Sequence, residues 1–189
     1  MIVVTTREAL LDAAQEAALS GSWHRARMAD VAAAAGVSRQ TLYYEFGSKD
    51  GLAEALALRE AHRYMAGAEA ARTGHEGTPA EAVAAATEWT LTEAADNPLL
   101  KAVLTDDTSA LLPFLTTRSE ALLTAARDHT ASYLSTHWPE LPADEVRLVA
   151  DTVNRLTLSH LVLPGGRPDQ VARDISHLVE RLLPGGDPA

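Results

Sequence analysis

The segment Ala35–Lys49, with the sequence AGVSRQTLYYEFGSK, restricts the fold of this chain more than any other stretch. Gly36 follows an apolar helical pattern, and glycine can adopt the left-handed conformation at a helix C-terminus without a steric cost. Ser38 can accept a hydrogen bond from an unpaired amide of a following helix, while Val37 and Leu42 have the spacing of a hydrophobic staple. The segment therefore predicts two short helices that a tight turn holds at a defined angle.

The second of these helices has one apolar side. Leu42 and Phe46 are spaced so that they share a face that can pack inward. The remaining surface carries side chains that suit DNA: Arg39, Gln40, Tyr43 and Tyr44. Arginine and glutamine can donate hydrogen bonds to base edges, and tyrosine hydroxyls can reach backbone phosphates. We therefore predict that this helix enters a DNA groove.

The wider segment from about Thr5 to Glu60 resembles the DNA-binding domain of the TetR family of transcriptional repressors. The family pattern is a small-residue helix, then AGVS, TLYxxF and SK followed by leucine, and it is matched in register by Val31, Ala32, Ala35, Gly36, Val37, Ser38, Thr41, Leu42, Tyr43, Phe46, Lys49 and Leu52. The resemblance implies a ligand-released repressor that binds a palindromic operator. We expect DNA contacts from Arg27, Ser38, Arg39, Gln40, Thr41, Tyr43, Tyr44 and Lys49.

Two positions depart from the family pattern. Arg27 stands where a threonine often caps the second helix on a phosphate, and Glu45 stands where a phosphate-binding histidine is frequent. Arginine can bind phosphate but has no acceptor with which to cap a helix. A carboxylate is repelled by the DNA backbone unless it accepts from a cytosine amino group, so the role of Glu45 stays open.

The rest of the chain predicts helix almost throughout, which makes the fold class all-α. We divide its 189 residues into a helix-turn-helix DNA-binding domain at 1–47, a connector helix at 48–71, and a helical ligand-binding and dimerisation domain at 72–189. The sequence RTGHEGTP at 72–79 ends the connector. Apolar residues then recur at helical spacing in several stretches, among them one from Leu111 to His137.

The net charge of −10 is unfavourable for a DNA-binding chain, but its distribution is uneven. Residues 1–64 hold seven Arg or Lys against eight Asp or Glu, a net of −1, whereas residues 65–189 hold nine against eighteen, a net of −9. The acidity therefore lies outside the segment predicted to bind DNA. Within residues 22–49 four Arg or Lys stand against two Asp or Glu, a local charge of +2. So small a basic footprint predicts that binding depends on two copies on adjacent half-sites.

The last two predicted helices allow two interpretations. They can close the core of their own subunit, or they can form a symmetric homodimer, which is how TetR-like proteins use them. The dimer interpretation assigns to the interface Leu148, Thr152, Leu158 and Val162 in the first helix and Val171, Ile175, Leu178 and Leu182 in the second.

TetR-like proteins enclose a small molecule among the helices that follow the connector, and ligand binding moves the connector. We expect the same here, with an apolar or amphipathic effector because aromatic residues are few and leucine and alanine abound. The candidate liners are Trp89, Leu104, Phe114, Leu122, His129, Tyr133, Asn154 and His160. Each of them can instead be an ordinary core residue.

Other functional classes have little support in the sequence. The chain has no cysteine, no pair of histidines at metal-binding spacing and no nucleotide-binding or nucleophile-elbow motif, so we expect neither a metal, a cofactor nor an enzyme. We find no secretory signal and no apolar run long enough to cross a membrane, and we expect a cytoplasmic protein. The alternative function is a helical small-molecule binder or adaptor that does not bind DNA in a sequence-specific way.

Overall fold

Helices make up all the regular structure in the part of the chain that can be described. The computed structural model describes residues 5–20, 23, 25–72, 77–105 and 111–183. Within these ranges the helices are α1 (Thr6–Leu19), α2 (Met28–Ala34), α3 (Arg39–Phe46), α4 (Lys49–Arg72), α5 (Pro79–Asp96), α6 (Pro98–Thr105), α7 (Leu112–Leu115), α8 (Glu120–His137), α9 (Ala143–Val162) and α10 (Pro168–Leu182). The all-α prediction is confirmed. Part of the predicted break after Arg72, residues 73–76, lies outside the described residues.

The first of two compact units contains residues 1–60 and 97–118. Its core joins side chains of α1 to α4 with side chains from α6 and α7, and the fully buried members include Leu10, Leu42, Leu52 and Leu56. The predicted division of the chain at residue 72 did not anticipate that α6 and α7 contribute to this unit. They do so because apolar residues such as Val103 and Phe114 are buried in the same cluster.

The second unit contains residues 61–96 and 119–189. Its core brings together apolar residues of α5, α8, α9 and α10, including Val83, Leu134, Val149 and Val179. The α5–α10 contact also includes a hydrogen bond in which the Ser176 hydroxyl donates to the Ala80 carbonyl at 3.2 Å. This unit therefore holds most of the residues that the sequence assigned to ligand binding and dimerisation.

Two of the predicted dimer-interface residues lie inside this core. Val171 and Ile175 are buried, and both pack in the cluster that α10 forms with α5 and α9. Their assignment to an intersubunit surface was therefore wrong. The apolar stripe of α10 is wider than one contact requires, so its centre covers the subunit core while Leu178 and Leu182 remain exposed.

The helical period from Leu111 to His137 is interrupted in the structure. A short α7 ends at Leu115, and α8 begins only at Glu120. Thr116 has φ −127° and ψ −93°, which no α-helix accommodates, and Arg118 donates from its backbone to the Pro113 carbonyl at 2.7 Å. The sequence prediction of one continuous period missed this turn because apolar spacing alone does not register a break of a few residues.

No helix in the described part of the chain is long and apolar enough to cross a membrane.

The start of α4 packs closely against the end of α3. The Gly51 amide donates to the Ser48 hydroxyl at 3.0 Å, so Ser48 caps the first turn of α4. A Cβ atom at Gly51 would overlap the carbonyl oxygen of Phe46. Glycine is therefore required here by the close approach of the backbone and not by its conformational freedom.

We expect Gly51→Ala to lower the free energy of unfolding by about 1–3 kcal/mol, because overpacking against backbone forces the two helices apart. Helix propensity alone predicts the opposite sign, a gain of about 0.5–1 kcal/mol. Urea denaturation measures the change, and Glu54→Ala, at an exposed position of the same helix, serves as the control with an effect within about 0.5 kcal/mol. A more stable Gly51→Ala variant would contradict the packing.

Candidate nucleic-acid interface

A Schellman turn joins α2 to α3. Gly36 has φ +69°, the left-handed conformation predicted for it. The Val37 amide donates to the Ala32 carbonyl at 2.9 Å, and the Gly36 amide donates to the Ala33 carbonyl at 3.0 Å. These two bonds satisfy the last carbonyls of α2 and set the direction in which the chain leaves it.

Ser38 then begins α3 as predicted. Its hydroxyl accepts from the Thr41 amide at 3.1 Å, and the two hydroxyls of Ser38 and Thr41 are 2.8 Å apart. Val37 packs against the core cluster that contains Leu42, as the staple requires. Both hydroxyls therefore have a structural role at the start of α3, and their contact with DNA stays a prediction.

The outer surface of α3 carries the residues predicted to bind DNA. Leu42 is completely buried, whereas Tyr44 is 88% exposed, so the helix has a sharply defined inner side. Arg39, Gln40 and Tyr43 are also exposed. The structure therefore presents these side chains outward, on the surface that a major-groove reading helix needs.

Arg39 and Tyr43 contact each other on this surface. Arg39 Nη2 donates to the Tyr43 hydroxyl at 3.4 Å, and the guanidinium carbon lies 5.2 Å from the centre of the tyrosine ring. The arrangement restrains a long side chain without burying it. The sequence analysis placed both residues on one surface, and their spacing of four residues makes them neighbours on a helix.

Arg27 stands at the N-cap of α2 and is exposed. Its amide donates to the Asp30 carboxylate at 3.2 Å, which is the half of a capping box that needs no acceptor on residue 27. The guanidinium plays no part in that cap. A phosphate contact by Arg27 stays a prediction, and the exposure of its side chain is compatible with it.

The structure supplies a partner for Glu45. Arg7 Nη1 in α1 lies 3.7 Å from Glu45 Oε2, and the Arg7 guanidinium carbon lies 4.6 Å from the centre of the Phe46 ring. Because the pair is largely exposed, it contributes little stability. Its effect is local, since a neighbouring cation offsets a carboxylate near the expected DNA surface. No spacing rule links residues so distant in sequence, so Arg7 was missed.

Lys49 makes contacts that the sequence did not predict. Its ammonium donates to the Trp23 carbonyl at 2.5 Å and to the Ala26 carbonyl at 2.7 Å, and it lies 5.4 Å from the centre of the Trp23 ring. Burial lowers the pKa of Lys49, and the neighbouring Asp50 opposes that shift. Lys49 thus ties the start of α4 to the segment before α2, and its predicted phosphate contact stays untested.

The predicted ligand residues do not form one set. Leu104 and Phe114 belong to the first unit, where Phe114 is a core residue, and the other six belong to the second unit. Within the second unit Trp89 packs on the Tyr64 ring, with centroids 6.0 Å apart. A surface groove of this unit contains none of the eight and is lined by Glu81, Ala84, Ala85, Glu88, Arg173, Ser176, His177 and Glu180.

Two protein-family models match the chain. The model described as "Bacterial regulatory proteins, tetR family" matches residues 10–56, and the model described as "Bacterial Tetracyclin repressor, C-terminal domain" matches residues 79–181. The chain belongs to the TetR family. This TetR-family protein is thus a DNA-binding transcriptional regulator, and its α2–turn–α3 segment is the family's helix-turn-helix.

Individual relatives agree with this assignment. The TetR-family chain is 33% identical over 174 residues to the HTH-type transcriptional regulator AlkX of Mycobacterium tuberculosis, covering 92% of this chain and 82% of that protein. The crystal structure of the TetR family repressor AlkX from a Dietzia strain is 31% identical, with a TM-score of 0.78 over 94% of this chain and 95% of that one. The repressor QsdR of R. erythropolis has the same fold, with 17% identity and a TM-score of 0.67 over 94% of each chain.

We expect Arg39→Ala to weaken operator binding by about 1–3 kcal/mol and to relax preference at one base position, because an exposed arginine on α3 is suited to guanine. Fluorescence anisotropy with single-base variants of a bound duplex measures both effects. Arg173→Ala, at an exposed position of α10, is the control. An equal loss on all sequences would show instead that Arg39 contacts phosphate.

Lys49→Met separates a structural role from a phosphate contact. We expect a loss of about 1.5–3 kcal/mol in unfolding free energy, because two carbonyls lose a charged donor. Chemical denaturation gives this value, and the salt dependence of duplex binding gives the number of phosphate contacts. Unchanged stability with a salt slope reduced by about 1 would contradict the structural role.

Proposed function

We propose that this regulator is a homodimeric repressor that binds a palindromic operator and is released from it by a small apolar or amphipathic molecule. The observation that carries the proposal is the capped α3 helix, whose polar surface faces solvent while Leu42 is fully buried. Family membership sets aside the alternative of a helical binder or adaptor that does not bind DNA.

Exposed leucines on the last two helices support the homodimer. Leu148 on α9 is 55% exposed and Leu178 on α10 is 46% exposed, although both helices already bury an inner face in their own subunit. Leu182 is exposed as well, and the remaining α9 residues assigned to the interface are half-buried: Thr152, Leu158 and Val162. Apolar residues exposed on two neighbouring helices are typical of an intersubunit surface.

The charge distribution gives a reason for dimerisation. Residues 1–64 have a net charge of −1, so a single DNA-binding domain gains little from electrostatic attraction to phosphate. In a dimer, once one DNA-binding domain has bound its half-site, the second domain is at high effective concentration near the adjacent half-site. We therefore propose half-sites whose centres lie about one helical turn, roughly 34–36 Å, apart or slightly more.

Release by a small molecule is supported by the course of α4. This helix of 24 residues begins within the first compact unit and ends within the second. If a ligand binds the second unit more tightly when α4 is in one of two positions, ligand binding increases the fraction of molecules in which α4 has that position. The Dietzia relative is implicated in the biodegradation of n-alkanes, which supports an effector with an apolar chain.

The double variant Leu148→Gln/Leu178→Gln tests the dimer. We expect it to be monomeric at micromolar concentration by light scattering, because polar amides disfavour burial between subunits. On random-sequence duplex its salt slope should be about half that of the wild type, since one head contacts half as many phosphates.

Lys101→Gln/Glu120→Gln, at two exposed positions of α6 and α8, is the matched control and should remain dimeric. A wild-type protein that is monomeric while it binds operator duplex tightly would contradict the dimer.

A further inference from the structure

Arg72, the last residue of α4, is a buried cation. The residue is only 5% exposed. Its Nη2 atom lies 3.5 Å from the Thr130 hydroxyl, and its guanidinium carbon lies 4.9 Å from the centre of the Tyr133 ring. In the described part of the chain, Nε and Nη1 of Arg72 are buried and have no hydrogen-bond partner. Most of the donor capacity of this guanidinium is therefore unused.

Such an arrangement is costly because arginine keeps its charge in a protein interior. Burial lowers the pKa of Arg72, while the nearby Tyr133 and Glu69 oppose that shift. The Glu69 carboxylate lies on an exposed side chain, 3.3 Å from His129 Nε2. Among the described residues, no contacting carboxylate supplies an anionic partner for the buried guanidinium of Arg72.

The polar groups beside Arg72 are also directed as donors. The Asn154 amide donates to the Thr130 hydroxyl at 3.0 Å and to the Ala150 carbonyl at 2.8 Å, and it lies 3.4 Å from the Ala126 carbonyl. The Thr130 hydroxyl therefore has two donors pointing at it, from Asn154 and from Arg72. Within the described residues, the hydrogen bonds of this cluster include no acceptor with negative charge.

We propose that Arg72 binds the carboxylate head group of an effector whose remainder is an apolar chain. A guanidinium presents paired donors with the geometry of a carboxylate, each pair made by Nη2 together with either Nε or Nη1, and neither Nε nor Nη1 of Arg72 has a hydrogen-bond partner among the described residues. Thr130 and Asn154 lie on helices that also supply the apolar core of this unit, since Leu134 is one turn after Thr130 in α8 and Val153 precedes Asn154 in α9. A single cation in such surroundings matches a monoanion with an apolar body.

This proposal rests on the small-molecule site of the proposed function and names the chemical class that the site takes. It places the head group at the C-terminal end of the connector helix. An anion bound there would contact α4 directly, and it would favour whichever position of that helix keeps Arg72 within reach.

The test compares decanoate with 1-decanol, which has the same chain length but no charge. Calorimetric titration of the full chain at pH 7.5 should show decanoate binding at least about tenfold more tightly than 1-decanol. In Arg72→Met the preference should vanish while affinity for 1-decanol is retained. Arg72→Lys should keep part of the preference, because it retains the charge without the fork.

Arg173→Met, which removes an exposed arginine of the same unit, is the control and should behave as the wild type. Thermal unfolding without any ligand gives a further readout. Replacing an uncompensated buried charge by an apolar side chain of similar length should leave the melting temperature unchanged or raise it. A large fall in the melting temperature of Arg72→Met would mean that Arg72 is a structural anchor, and it would overturn the proposal.

Equal affinity of the wild type for decanoate and 1-decanol, or no binding of either, would also overturn it. These results leave the proposed function intact if the ligand-free protein still binds operator duplex. If the ligand-free wild type does not bind operator duplex, the proposed function is contradicted instead. A failure of the carboxylate proposal can therefore be distinguished from a failure of the proposed function.

Discussion

The hydrogen bonds and the apolar contact that hold α3 in place are the constraint on which the function of this protein depends. A helix of eight residues is too short to be stable alone in water. The Schellman turn at Gly36, the Ser38 cap and the complete burial of Leu42 together determine where α3 lies and which side of it faces solvent. Lys49 at the start of α4 holds the segment before α2, and Arg7 of α1 lies beside Glu45 of α3. In our proposal Arg39 and Tyr43 contact DNA, which requires that their backbone is fixed in this way.

How far the sequence predicted the structure depended on the range of the interactions. The turn at Gly36, the cap at Ser38 and the inward face of α3 were predicted, because each rests on residues a few positions apart. Two other contacts join residues that are far apart in sequence, and no local pattern predicts them. They are the Arg7–Glu45 ion pair and the hydrogen bond from Lys49 to the segment before α2. For the same reason the burial of Val171 and Ile175 and the membership of α6 and α7 in the first unit were missed.

Helix α4 connects the two activities that define a ligand-responsive repressor. At its start Lys49 binds carbonyls of the segment that precedes α2. At its end Arg72 is buried, and two of its nitrogens have no hydrogen-bond partner among the described residues. The connector helix thus begins at Lys49, which stabilises the DNA-binding domain. It ends at Arg72, a buried cation with unpartnered donor nitrogens in the described part of the chain. In our account an effector acts on the second of these residues, and the response reaches the first through the helix they share.

Selection of bound duplexes from a random-sequence library, with the full chain and no added ligand, tests the central claim most directly. The claim is that two identical α3 helices read DNA together. The account predicts an inverted repeat whose half-site centres lie about one helical turn, roughly 34–36 Å, apart or slightly more. Enrichment of a single unrepeated site, or no enrichment at all, would contradict it.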